Sequence, residues 1–237
     1  MKGEFIPNHE LSKNFILEYT LIKDPNSTKY ISLIDEISNI AIDGFGAVFA
    51  SPDVIRQMLV KESHVFCARS KLSGQMLGFQ LTMLFEVLGK RTIYYSRVMS
   101  KSSQGNSIGK HILLHSIDKL QAEMICARTQ NPAALLSIQH TIKTLNPKAF
   151  FPFSKGNITR EEIALILEQI ELQTQDTVAT VDTVTGVQKN AFSQKLGDYE
   201  IKFNNPEIAS INEFLIQNGL NRDRGDAQYY FAIIPSQ

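Results

Sequence analysis

A polar segment with two glycines follows the strand predicted over residues 92–99, and its residue types suit the binding of an anionic group. The segment is Gln104-Gly105-Asn106-Ser107-Ile108-Gly109, and a helical apolar period starts at its end. A strand that leads through such a turn into a helix leaves backbone N–H groups unpaired at the helix start, where the helix dipole also favours phosphate. The same spacing fits an ordinary strand-to-helix connection whose glycines serve only turn geometry. The spacing alone leaves both interpretations open.

The residue order in this loop resembles the acyl-CoA-binding motif of the GCN5-related N-acetyltransferases (GNAT family). That motif has the form Gln/Arg-x-x-Gly-x-Gly/Ala and follows the fourth strand of the family's fold. Gln104 occupies its first position and Gly109 its last, whereas Ser107 replaces the middle glycine and would crowd a pyrophosphate. The resemblance covers residues 64–145 and a looser match at the C-terminus. It implies that the residues from Gln104 to Lys110 bind the pyrophosphate of acetyl-CoA, mostly through backbone N–H groups, with Lys110 adding charge.

The resemblance also implies where the rest of the cofactor would bind. In this family the fourth and fifth strands separate, and the pantetheine arm pairs with the backbone groups exposed between them. An opened sheet edge can bind an amide-rich molecule as it would bind an added strand. Carried over to this chain, the open edge is at Val98, Met99 and Ser100, and Asn131 faces the cofactor.

Acyl transfer from a thioester to an amine requires a deprotonated amine, a polarised thioester carbonyl and a proton for the departing thiolate. A backbone N–H near Val98 and Met99 would polarise the carbonyl. Glu86, at the end of the preceding strand, is the candidate base, although a solvated hairpin glutamate is the ordinary interpretation. Tyr95 is the second catalytic candidate and would hold the substrate, although tyrosines on sheets more often serve packing.

The general acid departs from the family pattern. The family commonly uses a tyrosine seven residues after the motif asparagine, and here that position is Ile138. Ser137 and His140 lie nearby but do not match the position. Tyr94, Tyr95 or water would therefore supply the proton, or the site is catalytically reduced.

Hydrophobic periodicity predicts a mixed α/β fold around the loop. The predicted elements are a strand at 15–23, helices at 31–44 and 51–60, strands at 64–71, 76–87 and 92–99, a helix at 108–121, a strand at 124–128, and a helix capped by Asn131. Short turns between the three central strands predict an antiparallel meander, and the next strand–helix–strand order predicts a parallel crossover. This order is the one that the resemblance implies, a centrally splayed sheet of about seven strands flanked by helices.

The C-terminal part departs from this order. A short strand is predicted at 148–154, a helix from Thr159 to about Leu172, loop with some strand at 177–195, a helix capped by Asn205, and a closing strand at 228–234. We therefore predict a single domain over 1–237, with a core at about 10–153 plus the closing strand. An insertion of about 155–226 would shape the acceptor site or form an oligomer contact.

Composition limits the other function classes. Lys plus Arg and Asp plus Glu are equal at 24 each, so no overall field attracts nucleic acid or anionic lipid. No apolar run reaches the roughly 20 residues that span a bilayer, and the first residues lack the apolar core of a signal peptide. Cys67 and Cys126 are predicted to be buried free thiols, which fits the cytoplasm. His111 and His115, one helical turn apart, are interpreted as surface residues, and no metal is expected.

We thus predict an acyl-CoA-dependent N-acyltransferase that uses acetyl-CoA to acetylate an amine of a small molecule or a protein. One alternative is a non-catalytic acyl-CoA-binding regulatory module on the same fold, suggested by Ser107 and Ile138. The other is an α/β protein whose loop binds a different nucleotide, although no Gly-Lys-Ser/Thr motif supports it. No nucleic-acid or membrane partner is expected, and the choice between monomer and homodimer stays open.

Overall fold

A computed structural model of the protein describes residues 14–45, 50–100, 108–154, 156–174, 181–192, 195 and 205–235, with the backbone alone for residues 44, 45 and 97–100. The described strands are β1 Phe15–Leu21, β2 His64–Ser70, β3 Met76–Val87, β4 Lys90–Ser100, β5 Met124–Thr129, β6 Ala149–Phe151, β7 Val187–Gln188 and β8 Ala227–Ile233. The described helices are α1 Ile31–Phe45, α2 Pro52–Leu59, α3 Ile108–Leu120, α4 Pro132–Lys143, α5 Arg160–Thr174 and α6 Pro206–Gln217.

The strands form one mixed sheet in the order β1-β2-β3-β4-β5-β8-β6, with β7 paired to β8. Strands β1 to β4 are antiparallel, β4 and β5 are parallel, and β8 runs antiparallel to both β5 and β6. The predicted meander and parallel crossover are confirmed. Among the described residues the sheet has eight strands rather than about seven, because β7 adds a two-residue strand from the predicted loop at 177–195. The first strand ends at Leu21 rather than at residue 23.

The helices cover the sheet on two faces. One face packs against α3, α4 and α6 through a cluster that includes Ile112, Leu135 and Leu215. The other face packs against α1 and α2 at β2 and β3, and against α5 at β4, β5 and β8. Successive residues of β4 therefore point to opposite faces of the sheet. Tyr95 belongs to the cluster on the first face and Tyr94 to a cluster on the second.

Helices α2, α4 and α6 begin directly after residues whose side chains cap the first turn. The Ser51 hydroxyl accepts a hydrogen bond from the Val54 N–H at 3.4 Å, with proline at the first position of α2. Thr159 and Glu162 form a capping box before α5, with reciprocal bonds of 3.1 and 2.8 Å. These local signals explain why the predicted helices match the described ones to within a few residues.

No helix among the described residues is both long enough and apolar enough to cross a membrane. Cys67 and Cys126 are buried free thiols, as predicted. Burial is the main cause that raises the pKa of Cys67 to about 12, and it also raises the pKa of Cys126.

Candidate functional site

The parallel strands β4 and β5 separate soon after they meet. Their pairing is restricted to Thr92–Tyr94 with Met124–Cys126, although β4 continues to Ser100 and β5 to Thr129. Beyond the Tyr94–Cys126 pair, the facing backbone groups of the two strands do not bond to each other across the described sheet. This opening is the sheet geometry that could accept an amide-rich ligand between two strands.

A bulge in β4 lies at the start of the opening. Thr82 pairs with Tyr95 and Leu81 with Arg97, so that Ser96 is an extra residue in β4. A bulge bends and twists the strand that contains it, which explains why β4 turns away from β5 here. The Ser96 hydroxyl oxygen is buried and accepts or donates no hydrogen bond among the described residues.

Two tyrosines lie beside β5 at the base of the opening. Tyr95 of β4 and Tyr230 of β8 bond through their hydroxyl groups, with ring centroids 6.1 Å apart. Tyr230 is paired with Ala127 of β5, whose small side chain leaves room for the two rings to meet. Both phenols are almost fully buried, and burial raises the pKa of each. They therefore remain protonated over the physiological pH range.

The strand and helix that border the predicted cofactor loop are described, but the loop itself is not. Gln104, Gly105, Asn106 and Ser107 lie outside the described residues. Ile108, Gly109 and Lys110 form the first turn of α3, where Ile108 is buried and the other two are half-buried. Val98, Met99 and Ser100 lie in β4, where they pair with β3 on one side. The structure thus places the open edge of β4 and the start of α3 at the two ends of the predicted loop.

Buried polar groups tie α3 to the sheet. The Gln80 side-chain amide of β3 donates to Thr82 Oγ1 and to Ser116 Oγ of α3, both at 2.8 Å. Ser116 in turn donates to the Leu113 carbonyl at 2.8 Å. Because Gln80 is paired with Val98, this network fixes α3 at the level of the open part of β4.

Asn131 caps α4 at the C-terminal end of β5. Its Oδ1 accepts hydrogen bonds from the N–H groups of Ala133 at 2.9 Å and Ala134 at 3.4 Å. Its own N–H donates to Thr129 Oγ1 at 3.0 Å. The Asn131 Nδ2 amide makes no hydrogen bond to the described part of the chain, so it is available as a donor toward a ligand at the edge of β5.

Glu86 lies far from the opening. It is exposed and pairs with Arg91 at the turn end of the β3–β4 hairpin, whereas Val98–Ser100 lie at the opposite end. Along the strand from Arg91, Tyr95 is four positions away, about 13 Å, and Val98 is seven positions away, about 23 Å. The structure therefore does not bring Glu86 together with the other candidate residues, whereas Tyr95 lies at the base of the opening.

The other residues considered from the sequence pack against neighbouring apolar or aromatic side chains. Ile138, at the family's tyrosine position, lies on α4, where it is partly buried and packs against the core. Tyr94 is buried on the opposite face from Tyr95, 6.4 Å from the ring of Tyr229. His111 and His115 pack against Phe15 and Phe66. No group of three or more His, Cys, Asp or Glu residues in the described ranges is arranged to hold a metal ion.

Residues of the predicted insertion surround the end of β5. Arg128 of β5 donates to Gln188 Oε1 at 3.0 Å and lies 4.7 Å from the ring centroid of Phe192. Arg222 donates to the Gln130 carbonyl at 2.9 Å. Sequence reasoning missed these residues and Tyr230, because no periodicity or motif relates positions so far apart in the chain. The closing strand with its two adjacent tyrosines was the one available signal.

Comparison with known proteins gave matches among solved structures. No family model matches the chain, and no curated protein matches it. One structural match is a GCN5-related glucosamine N-acetyltransferase region of a fungal multi-domain β-N-acetylglucosaminidase, with a TM-score of 0.36 and 21% identity over 48% of this chain and 13% of that chain. A GNAT-family N-acetyltransferase from Escherichia coli in complex with CoA matches with a TM-score of 0.38 and 11% identity over 52% of this chain and 66% of that chain.

A third match is an aminoglycoside acetyltransferase from an uncultured soil metagenomic sample, in complex with sisomicin. Its TM-score is 0.41, with 14% identity over 61% of this chain and 92% of that chain. The sheet order, the parallel β4–α3–β5 unit and the separation of its strands agree with the predicted fold class. The described sheet therefore has the element order that the resemblance stated from the sequence implies.

Proposed function

We propose that the protein is a single-domain, acyl-CoA-dependent N-acyltransferase of the GNAT family. The observation that carries this proposal is the separation of β4 from β5 after the Tyr94–Cys126 pair, directly before the loop that leads into α3. A ligand that lies in this opening could hydrogen-bond to both strands while its anionic end reaches the start of the helix. Acyl-CoA has this combination of an amide-rich arm and a pyrophosphate.

The proposed cofactor contacts follow the chain around the opening. The pyrophosphate would bind the N–H groups from Gln104 to Lys110, and the pantetheine amides would bind the backbone of Val98, Met99 and Ser100. The Nδ2 amide of Asn131 would donate to the same ligand from the opposite side, because its Oδ1 is already occupied by the α4 cap. No metal takes part in the proposed reaction.

The proposed reaction is direct transfer. The neutral amine attacks the thioester carbonyl, a C–N bond forms and the C–S bond breaks. The nitrogen loses one N–H proton as the amide forms and the departing thiolate gains one, so that the products are the amide and free CoA thiol. A β4 N–H near Val98 and Met99 would stabilise the oxyanion in this open, partly desolvated place. Tyr95 is the candidate side chain at the base of the opening, where it would hold the substrate or provide the proton. Glu86 remains a predicted base that, from its position at the hairpin turn, would act only on an acceptor extending that far.

The acceptor is an amine of a small molecule or a protein. Two buried free cysteines are compatible with a reducing compartment, and we place the enzyme in the cytoplasm.

One observation favours a second candidate function, a regulatory module that binds acyl-CoA without turnover. Ile138 occupies the position of the family's usual proton-donating tyrosine, and its side chain packs from α4 against the core. An aliphatic side chain cannot donate a proton. The two candidates share the ligand and differ in turnover.

Thermal unfolding with excess acetyl-CoA, CoA or ATP tests the proposal. A ligand at 100 times its dissociation constant adds about 2.7 kcal/mol to the free energy of unfolding, which raises Tm by several degrees for a domain of this size. We expect a rise with acetyl-CoA and CoA but not with ATP, followed by release of free CoA thiol when amines are added. Binding without turnover across an amine panel would favour the regulatory module. No rise with any CoA species would refute both.

Gly109→Glu provides a local version of this test. The substitution places a negative side chain in the first turn of α3, where it would repel phosphate. We expect loss of CoA binding with the protein still folded, and unchanged CoA affinity would remove this turn from the site. Lys119→Glu is the control, since it places a glutamate in the exposed last turn of α3, away from the predicted loop, with a charge change of two units rather than one.

A further inference from the structure

The loop at 221–226 in the predicted insertion contacts the junction between β5 and α4. Arg222 Nε donates to the Gln130 carbonyl at 2.9 Å, and Gln130 Nε2 donates to the Asp226 carbonyl at 2.8 Å. The loop and the junction thus bind each other through two reciprocal hydrogen bonds. Gln130 is 2% exposed, so its bond to the Asp226 carbonyl is buried, whereas the bond from the half-buried Arg222 is partly buried. Burial strengthens such hydrogen bonds relative to the surface.

The loop is itself held firmly. The buried carboxylate of Asp226 accepts hydrogen bonds from the N–H groups of Asn190 and Asn221, each at 3.0 Å. Its two oxygens also pair with the guanidinium of Arg224. A carboxylate with three separate partners fixes the backbone on both sides of the loop. The loop is therefore a rigid support for whatever it contacts.

Arg222 connects this loop to α6 as well. A terminal nitrogen of its guanidinium donates to Asn212 Oδ1 of α6 at 2.5 Å, and α6 packs against α4. The planar guanidinium joins the carbonyl before α4 to the helix that lies alongside α4. A lysine at this position would offer a single nitrogen and could not hydrogen-bond to the Gln130 carbonyl and to Asn212 in the same geometry.

The peptide between Gln130 and Asn131 is held at both of its polar atoms. Its C=O accepts from Arg222, and its N–H donates to Thr129 Oγ1 at 3.0 Å. A peptide unit is planar and rotates as one body, so these two bonds together fix its orientation. This orientation sets the direction in which the Asn131 side chain leaves the end of β5.

We propose that Arg222 is a positioning residue for the acyl-CoA site. Through the Gln130 carbonyl it holds the Asn131 amide and the start of α4 in the orientation that meets the cofactor at the open edge of β5. This inference rests on the proposed function and deepens it. It assigns the 221–226 segment to cofactor binding, whereas sequence reasoning assigned the insertion to the acceptor or to an oligomer contact.

The test measures CoA affinity by calorimetry and steady-state kinetics for Arg222→Gln beside the wild type. We expect the Kd for CoA and the KM for acetyl-CoA to rise about tenfold with kcat within about twofold, since ground-state orientation is lost and the reacting groups are untouched. Arg160→Gln is the matched control, because Arg160 belongs to the same insertion and contacts Thr183 at the surface. It should leave the Kd unchanged.

A second variant acts on the other end of the same peptide. Thr129→Val removes the acceptor of the Asn131 N–H and should raise the Kd in the same direction. The double variant Thr129→Val/Arg222→Gln should raise it by less than the product of the two single effects, because both bonds orient one peptide. Independent, multiplicative effects would overturn the inference, and Thr129→Val decides alone if Arg222→Gln does not fold.

A rise in Kd that comes only from lower stability of the protein must be distinguished from one that comes from a misplaced Asn131 amide. Ile163→Val shortens a buried side chain of α5 on the opposite face and lowers stability without contact to the junction. If its Kd rises in proportion to its lower Tm, or if Arg222→Gln binds CoA as tightly as the wild type, the positioning inference is refuted while the proposed function stands. A wild type that binds neither CoA nor acetyl-CoA refutes both.

Discussion

Tyr95 and Tyr230 join β4 to β8 across the single strand β5, through a hydrogen bond between their hydroxyl groups. The bond lies just past the last pair between β4 and β5, Tyr94 with Cys126. At this level the backbone ladder between β4 and β5 has ended. Where the backbone hydrogen bonds between β4 and β5 end, the tyrosine side chains therefore still link the β1–β4 part of the sheet to the β5, β8 and β6 part.

Removal of one hydroxyl from this pair should be costly. Tyr230→Phe leaves the buried Tyr95 hydroxyl without its partner, and we expect a loss of about 1–3 kcal/mol in the free energy of unfolding. The double variant Tyr95→Phe/Tyr230→Phe should lose less than the sum of the two single variants, because no buried hydroxyl is left unpaired. Urea unfolding of the four proteins measures this, and additive losses would contradict the interaction.

The tyrosine pair also illustrates what sequence reasoning could and could not predict. The strands that carry the two residues were predicted from alternation and from a β-rich run, which are local signals. Their meeting depends on β8 entering the sheet between β5 and β6, 135 residues away from Tyr95 in the chain. Single-sequence periodicity contains no information on such a pairing.

The candidate site also has parts that follow from local sequence signals and parts that depend on contacts between distant positions. The Asn131 cap and the start of α3 follow from local turn chemistry and were predicted. Glu86 ends a strand next to β4, which makes it a candidate base from the sequence, but antiparallel pairing puts it beside Arg91 at the far end of the hairpin. Arg222 and Asp226 lie in a stretch without regular periodicity, so their contacts with Gln130 could be found in three dimensions alone.

Asn131 should have two separable roles. Asn131→Asp keeps an oxygen that caps α4 but removes the Nδ2 donor, so we expect stability within about 0.5 kcal/mol of the wild type and weaker CoA binding. Asn131→Ala should lose both the cap and the affinity. Calorimetric titration with CoA and thermal unfolding give the two quantities.

Asn205 provides a matched control for this prediction. It caps α6 as Asn131 caps α4, with proline at the first helical position and a bond of 2.8 Å from the Glu207 N–H. Asn205→Ala should lose about 1 kcal/mol in stability without a change in CoA affinity. If Asn131→Asp binds CoA like the wild type, its amide does not contact the cofactor.

Gly186 allows close packing of the insertion against β8. Its φ is +75°, and a Cβ there would lie 2.4 Å from Gln228 Nε2 and 2.8 Å from the Tyr229 carbonyl oxygen. Gly186→Ala should therefore add about 1–3 kcal/mol of steric cost to the roughly 1 kcal/mol cost of a left-handed alanine.

Gly74 separates these two costs. Its φ is +68°, and no atom lies within 4 Å of a Cβ built on it. Gly74→Ala should lose the backbone cost alone, about 1 kcal/mol. Equal losses for the two variants in urea unfolding would show that the turn at 182–186 can move away from β8 without penalty.

Asp226 should make folding sensitive to acid. Burial tends to raise its pKa, but the hydrogen bonds from Arg224 and from the N–H groups of Asn190 and Asn221 outweigh this effect, so the pKa lies below the ordinary value. A carboxyl group whose folded pKa is depressed contributes stability above its unfolded pKa of about 3.9 and loses that contribution as the pH falls through the folded value.

Asp226→Asn measures this contribution. The amide keeps one acceptor oxygen but lacks the charge, and we expect a loss of about 2 kcal/mol at pH 7. The difference in unfolding free energy between wild type and variant should stay constant down to about pH 4 and shrink below it. Asp53→Asn is the control, since the carboxylate of Asp53 forms an exposed pair with Arg56 and should contribute little at any pH. A difference for Asp226→Asn that does not change with pH would show that the Asp226 charge does not stabilise the loop.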